Sequence, residues 1–308
     1  MHGHGPQFQH LRNLRLRALV VDAVRGFFKN RGYLEVETPV RIPSLAPEAN
    51  IDAVSSEGWY LQTSPELCMK RLLAAGHERI FQICRCFRKG ERGARHLPEM
   101  TLLEWYAAGS TYLHLMDECE ALMREVARKV SSGGDRIVYQ GHELDLSAPF
   151  HRLPVTEAFH RHAALTMEEA LRAGRFDECM GLEIEPRLGF GRPVFLFDYP
   201  ASTAALSRLH PGNPLLAERF EMVACGLELC NGFTELTDAT EQRERFAAER
   251  QARKDSGKAD CPMPETFLAA LPDMPDAAGN ALGLDRLVML FADAATIDEV
   301  VSFVPEAL

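Results

Sequence analysis

Strand-like segments follow one another along this chain without regular alternation with helices, and that order constrains its fold more than any other feature. Extended character marks 33–39, 59–63, 80–87, 99–107, 194–199, 220–223 and 227–231. A doubly wound sheet would need a helix between nearly every pair, so the pattern predicts a mixed or antiparallel α+β fold. Helical spacing runs from 11 to 31, where Leu16, Leu19, Val20, Ala23, Val24, Phe27 and Phe28 line one face and Gly32 supplies the stop. Further helical patterns fill 65–76, 111–130, 155–173, 241–254 and 284–292, and the Gly/Pro-rich breaks at 186–193 and 272–280 read as loops. Pro39 puts the first strand at a sheet edge or at its own end. A length of 308 residues suits one large domain with at most an insertion, taken as residues 150–190.

Charge and cysteine usage narrow the function. A net charge of −10 argues against a general nucleic-acid binder, which needs a basic face for phosphates. The opening segment MHGHGPQFQHLRNLRLR lacks a signal peptide's apolar run, and no stretch reaches the roughly 18 apolar residues of a membrane span, so a cytoplasmic protein with no membrane contact is expected. The 8 cysteines form no CxxC pair and read as free thiols. Against the acidic background, Arg85, Arg88, Lys89, Arg92 and Arg95 crowd into 85–95 with two glycines. Such a run is either a solvated loop or one that closes over phosphates.

Three constellations carry chemistry. In strand 99–107, alternation puts Met100, Leu102, Glu104 and Tyr106 on one face, where a carboxylate and a hydroxyl can together hold an ammonium or simply face solvent. If Ala224-Cys225-Gly226 is a hairpin turn, Glu221 and Glu228 lie equally far from its centre and face each other. Opposed like charges destabilise a sheet, a conflict that a cation such as Mg²⁺ would relieve; two solvated edge glutamates are the plainer alternative. In the third, Gly279-Asn280-Ala281-Leu282-Gly283-Leu284-Asp285-Arg286 reads as a small-residue turn entering a helix, with Arg286 near an anion-binding end.

Taken in order, these segments resemble the three signature motifs of class II aminoacyl-tRNA synthetases of the lysyl branch: 12–40 the first, 80–107 the second and 279–292 the third. Glu228-Leu229-Cys230-Asn231-Gly232-Phe233-Thr234-Glu235-Leu236 resembles the lysine-specific segment. The resemblance implies a class II synthetase catalytic domain, an antiparallel β-sheet flanked by helices, as a single unit over 1–308 with a homodimer interface at the first motif. Lysyl-tRNA synthetases carry an anticodon-binding barrel before the first motif, and here that motif opens the sequence. The expectation is therefore a stand-alone catalytic core without an anticodon-binding domain, similar to the elongation factor P lysine ligase family, with tRNA an improbable partner.

That resemblance implies ATP as substrate, Mg²⁺ as metal, lysine or (R)-β-lysine as the amino acid and elongation factor P as acceptor. By correspondence, Arg88 and Arg286 act on the phosphates, and Glu221 and Glu228 hold Mg²⁺. Gly90, His96, Leu97, Met100, Glu228, Leu229 and Gly283 join the two arginines around ATP. Glu104 takes the amine near the substrate carboxylate, Asn231 orients that carboxylate, and Glu66, beside Ser64, takes the distal ammonium with Tyr106 and Glu235. Departures from the pattern are the acid displaced to Glu91, Leu97 in place of asparagine, Met100 in place of an aromatic, and Ala281 in place of glycine, whose methyl suits a differently placed amine. Lys89, Arg92 and Arg95 are the candidate patch for an acidic protein partner. Rival functions are aminoacylation of tRNA, a non-catalytic regulatory paralogue and an amide ligase for a small acceptor.

Overall fold

A computed structural model describes residues 10–308; residues 1–9, which begin the segment read as lacking a leader and the expected 1–308 unit, lie outside the described residues. Strands run in chain order as β1 Leu34–Glu35, β2 Arg41–Ile42, β3 Ser55–Ser56, β4 Trp59–Leu61, β5 Arg79–Phe87, β6 Glu99–Ala108 and β7 Arg136–Tyr139. They continue as β8 His142–Asp145, β9 His151–Pro154, β10 Val194–Pro200, β11 Leu209–His210, β12 Asn213–Ala224, β13 Leu227–Thr234 and β14 Ala277–Gly283. Helices are α1 Leu11–Lys29, α2 Glu66–Ala74, α3 Tyr112–Val130, α4 Val155–His162, α5 Met167–Arg172, α6 Phe176–Cys179, α7 Ala239–Asp255, α8 Glu265–Ala270 and α9 Leu284–Ala292.

Nine strands form the main sheet in the order β1-β5-β6-β14-β13-β12-β10-β9, with β11 added on β12. Its centre is antiparallel as expected, and only the outer pairs β1–β5 and β9–β10 are parallel. Helices α1, α3 and α9 cover one face around Phe27, Phe28, Trp105, Leu122 and Val288, all at most 1% exposed. The insertion builds its own core, in which Phe159, Phe176 and Ile184 pack on Leu196 of β10.

Three expectations fail locally. The segment 272–280 is not a loop throughout, because Ala277–Gly283 forms a central strand of the sheet. Its small side chains lack the usual strand signature; they suit a strand on which Asn280 reaches back to donate to Cys119 Sγ of α3 at 3.0 Å. The helix expected over 155–173 breaks at 163–166, where Thr166 caps α5 in a reciprocal capping box with Glu169. The β12–β13 turn is Cys225-Gly226, both at positive φ, a two-residue turn of the primed kind. That turn pairs Val223 with Glu228, so Glu221 and Glu228 are diagonal neighbours on one face rather than opposed, and a bulge at Leu229 then brings Asn231 opposite Glu221.

One ionic contact ties the three motif regions together. Arg17 of α1 donates to Asp285 Oδ1 at 2.6 Å and to Thr101 Oγ1 at 2.8 Å, while Asp285 Oδ2 accepts the Thr101 backbone N–H at 2.7 Å. Asp285→Ala removes both acceptors and strands a largely buried guanidinium, so urea unfolding should show a loss of about 3 kcal/mol. A loss below about 1 kcal/mol would show that this contact does not brace the fold.

Candidate active site

Register across four strands assembles the site. Glu104 of β6 stands opposite Ala281 of β14, Ala281 opposite Asn231 of β13, and Asn231 opposite Glu221 of β12. Two residues further along each strand, Tyr106, Gly279, Phe233 and Arg219 form a parallel row. Because side chains two apart share a face, both rows point the same way, away from α3. A cavity of about 620 Å³ opens over Ala281, Asn231, Phe233, Glu221 and Arg219 of this grid and reaches the ends of β6 and α9, while Glu104, Tyr106 and Gly279 lie behind its wall.

At one end lies a cluster of buried acids. Glu104 is fully buried and accepts from Ser64 Oγ at 2.6 Å and from Tyr106 Oη at 2.8 Å. Tyr106 thus bonds to Glu104, with the charges of Glu66 and Glu235 also close by. Glu66, at the start of α2, pairs with Lys70 Nζ at 2.5 Å, and the same Nζ stands 2.5 Å from Glu235 Oε2. Neither oxygen of Glu235 accepts a well-formed hydrogen bond, although the residue is 1% exposed. Burial, against the pull of Lys70, pushes the Glu235 carboxyl up to about 8, and burial with the nearby Glu66 charge pushes Glu104 up to about 7. Gly279 makes room here: a Cβ on it would fall 2.2 Å from Tyr106 Cε1 and 2.6 Å from Glu235 Oε1.

At the other end the groups are cationic. Arg286 donates to Glu228 Oε2 at 3.0 Å and to the Glu228 carbonyl at 2.9 Å, and its Nη2 lies 2.6 Å from His96 Nε2. Burial and the Arg286 charge lower the His96 pKa, which keeps a neutral imidazole free to accept from the guanidinium. Arg88, Glu91, Leu97, Met100, Leu229 and Gly283 also line the cavity. The displaced acid Glu91 thus does reach the site, 3.9 Å from Arg88. Gly90 does not; it lines a separate cavity of about 400 Å³ with Lys89, Arg253 and Lys258. In the expected basic patch Lys89, Arg92 and Arg95 are all exposed, with Arg92 paired with Asp298 and Glu306 and Arg95 donating to the Gly226 carbonyl.

Several participants escaped the sequence reading. Arg219 donates to Glu221 Oε1 at 2.6 Å and to Asn231 Oδ1 at 3.1 Å, and Tyr199 Oη donates to Glu221 Oε2 at 2.6 Å. Glu185, from the insertion, is half-buried against Glu221 and Glu228; burial and those two charges push it up to about 7. Glu48 lines the mouth and is pushed up to about 7 by burial and the charge of Glu66. Only the repeated glutamates hinted at these roles. Among the described residues no three acidic, His or Cys side chains converge tightly enough to hold a metal alone. Glu221 and Glu228, with Glu185 beside them, nevertheless offer the hard oxygens that Mg²⁺ takes when substrate phosphates complete its shell.

The sequence matches the family described as tRNA synthetases class II (D, K and N) over residues 7–307. It is 39% identical to an elongation factor P–(R)-β-lysine ligase of Haemophilus influenzae (strain PittGG), with 95% of each chain covered. It is also 39% identical to the protein of that name in Edwardsiella ictaluri (strain 93-146), with 94% of each covered. A lysine–tRNA ligase of Magnetococcus marinus is 36% identical over 94% of this chain, which spans 63% of that protein. The motif order, the acid-lined pocket and these similarities agree: the chain belongs to the class II tRNA synthetases and, within them, to the elongation factor P–(R)-β-lysine ligase family.

Proposed function

We propose that this protein uses ATP to activate lysine or (R)-β-lysine as the aminoacyl-adenylate and transfers it to a lysine side chain of elongation factor P. The observation that carries the reading is Glu235, a buried carboxylate whose Oε2 is ion-paired with Lys70 but whose Oε1 has no donor, packed with the Glu104–Tyr106 pair over Gly279. Such a site rewards an ammonium and penalises a neutral side chain, which would leave acids buried and unpaired. Glu104, Tyr106 and Glu235 then take the distal ammonium, and Glu66, the most exposed of the three acids, takes the amine nearer the carboxylate. This reverses the division of Glu66 and Glu104 expected from the motifs. Asn231, steadied by Arg219, orients the carboxylate, and the Ala281 methyl beside it bears on where the second amine sits.

The substrate carboxylate attacks the α-phosphorus, and Arg88 and Arg286 stabilise the phosphate charge while pyrophosphate leaves. Glu221 and Glu228 would hold Mg²⁺, which supplies further neutralisation of that charge when bound. The acceptor amine then attacks the activated carbonyl, an amide bond forms, a proton is lost and AMP departs. A homodimer forms through the α1 region, where Leu11, Leu19, Leu34 and Val40 are exposed. Among the described residues no helix is long and apolar enough to cross a membrane.

Intact-mass spectrometry of elongation factor P, incubated with the enzyme, ATP, Mg²⁺ and either lysine isomer, should show the mass gain of one lysyl group. Lysine-dependent pyrophosphate exchange without that gain would refute the acceptor and keep the activation step. Charging of tRNA under the same conditions would favour the synthetase reading instead.

A further inference from the structure

Lys70 is one of the largest fully buried side chains, and the chemistry above gives it no role. It sits one helical turn after Glu66 on α2, with its Nζ 2.5 Å from Glu66 Oε1, 2.5 Å from Glu235 Oε2 and 5.0 Å from the centroid of Phe233. We propose that Lys70 is a positioning residue that sets specificity: it stays in place when substrate binds, ties Glu66 to Glu235, and fixes the charge of the pocket to match a diamino acid. The inference rests on the lysine reading of the same pocket. Burial opposes a charge on Lys70, but Glu235 and Glu66 outweigh it and hold the ammonium above its ordinary pKa, so the side chain is a permanent cation.

Glu66, Glu104 and Glu235 contribute three negative charges and Lys70 one positive, which leaves −2 in the ionised pocket. Two ammonium groups neutralise it, and the substrate carboxylate lies outside the cluster, toward Asn231 and Arg88. An amino acid with a single ammonium leaves one buried charge without a partner, which is the more heavily penalised state. A pocket with three acids and no lysine would fit a trication better than lysine. Lys70 is also held from both sides by carboxylates, so its withdrawal would break two buried ion pairs at once.

A double-mutant cycle on lysine affinity tests this, measured by calorimetry at about pH 8.5, where Glu235 is ionised. Glu235→Gln and Lys70→Met should each weaken lysine binding by about a hundredfold or more. Lys70→Met/Glu235→Gln restores −2 and should return affinity to within about tenfold of the parent. A purely structural role for Lys70 predicts no such rescue, and a double variant no tighter than Glu235→Gln overturns the proposal. So does a Lys70→Met variant that binds lysine more tightly than the parent, because that result would make Lys70 a plug that substrate displaces. If Lys70→Met does not fold alone, the double variant against Glu235→Gln still decides the question. A parent enzyme that binds neither lysine nor (R)-β-lysine would sink the functional reading itself, and this inference with it.

Discussion

Gly279→Ala is expected to abolish lysine binding, with affinity down by about a thousandfold or more, while ATP still binds at the far end of the cavity. The cause is space, not backbone strain, since Gly279 is not among the positive-φ residues. An alanine Cβ would lie 2.2 Å from Tyr106 Cε1, 2.3 Å from Tyr106 Cδ1 and 2.6 Å from Glu235 Oε1. Tyr106 is 3% exposed and its hydroxyl is committed to Glu104, so the ring cannot swing away without breaking that bond. Nor can β14 retreat, because it is bonded to β6 on one side and β13 on the other. Overpacking of this kind also costs about 1–3 kcal/mol of stability. Calorimetric titration with lysine and with a non-hydrolysable ATP analogue separates the two ends. Lysine affinity within tenfold of the parent would show that the pocket does not lie between Tyr106, Gly279 and Glu235.

Much of this site was legible from local rules. Alternation in β6 placed Glu104 with Tyr106, and the turn after Ala224 placed Glu221 and Glu228 near each other. What local rules could not supply was the register between strands distant in sequence. The row Glu104–Ala281–Asn231–Glu221 draws on residues from 104 to 281, and no spacing along the chain announces it. β14 was hidden for a related reason: the constraint that makes it small, an aromatic ring and a carboxylate pressed against Gly279, comes from other strands. Lys70 carries no signal along its own helix, because its buried ion pair depends on Glu235, which is 165 residues away. Arg219 sat in plain view beside Glu221, yet its bond to Asn231 needed the β12–β13 pairing. The bulge at Leu229, which brings Asn231 rather than Cys230 opposite Glu221, leaves no sequence signal that its neighbours do not share.

Lysine binding should tighten as pH rises from about 6 to about 8.5, and the sign follows from the empty pocket. There, burial holds Glu235 up to about 8 and Glu104 up to about 7, so near neutrality the pocket carries protons where the substrate's charge belongs. An incoming ammonium stabilises both carboxylates in ionised form and drives those pKa values down, so binding expels the protons. Each proton expelled makes affinity rise about tenfold per pH unit, and the gain from each acid ends above its own free-state pKa. The slope of log affinity against pH should therefore be steepest below about 7, where both acids release protons, fall to about one between 7 and 8, and flatten above. Loss of protons from the substrate's own amines then turns the curve downward. Glu235→Gln should remove the segment between 7 and 8 and leave the steeper arm with a slope of about one. Calorimetry in buffers of different ionisation enthalpy counts the same protons directly. A flat profile from 6 to 8.5, with no buffer-dependent heat, would mean that the acids are already ionised before lysine binds.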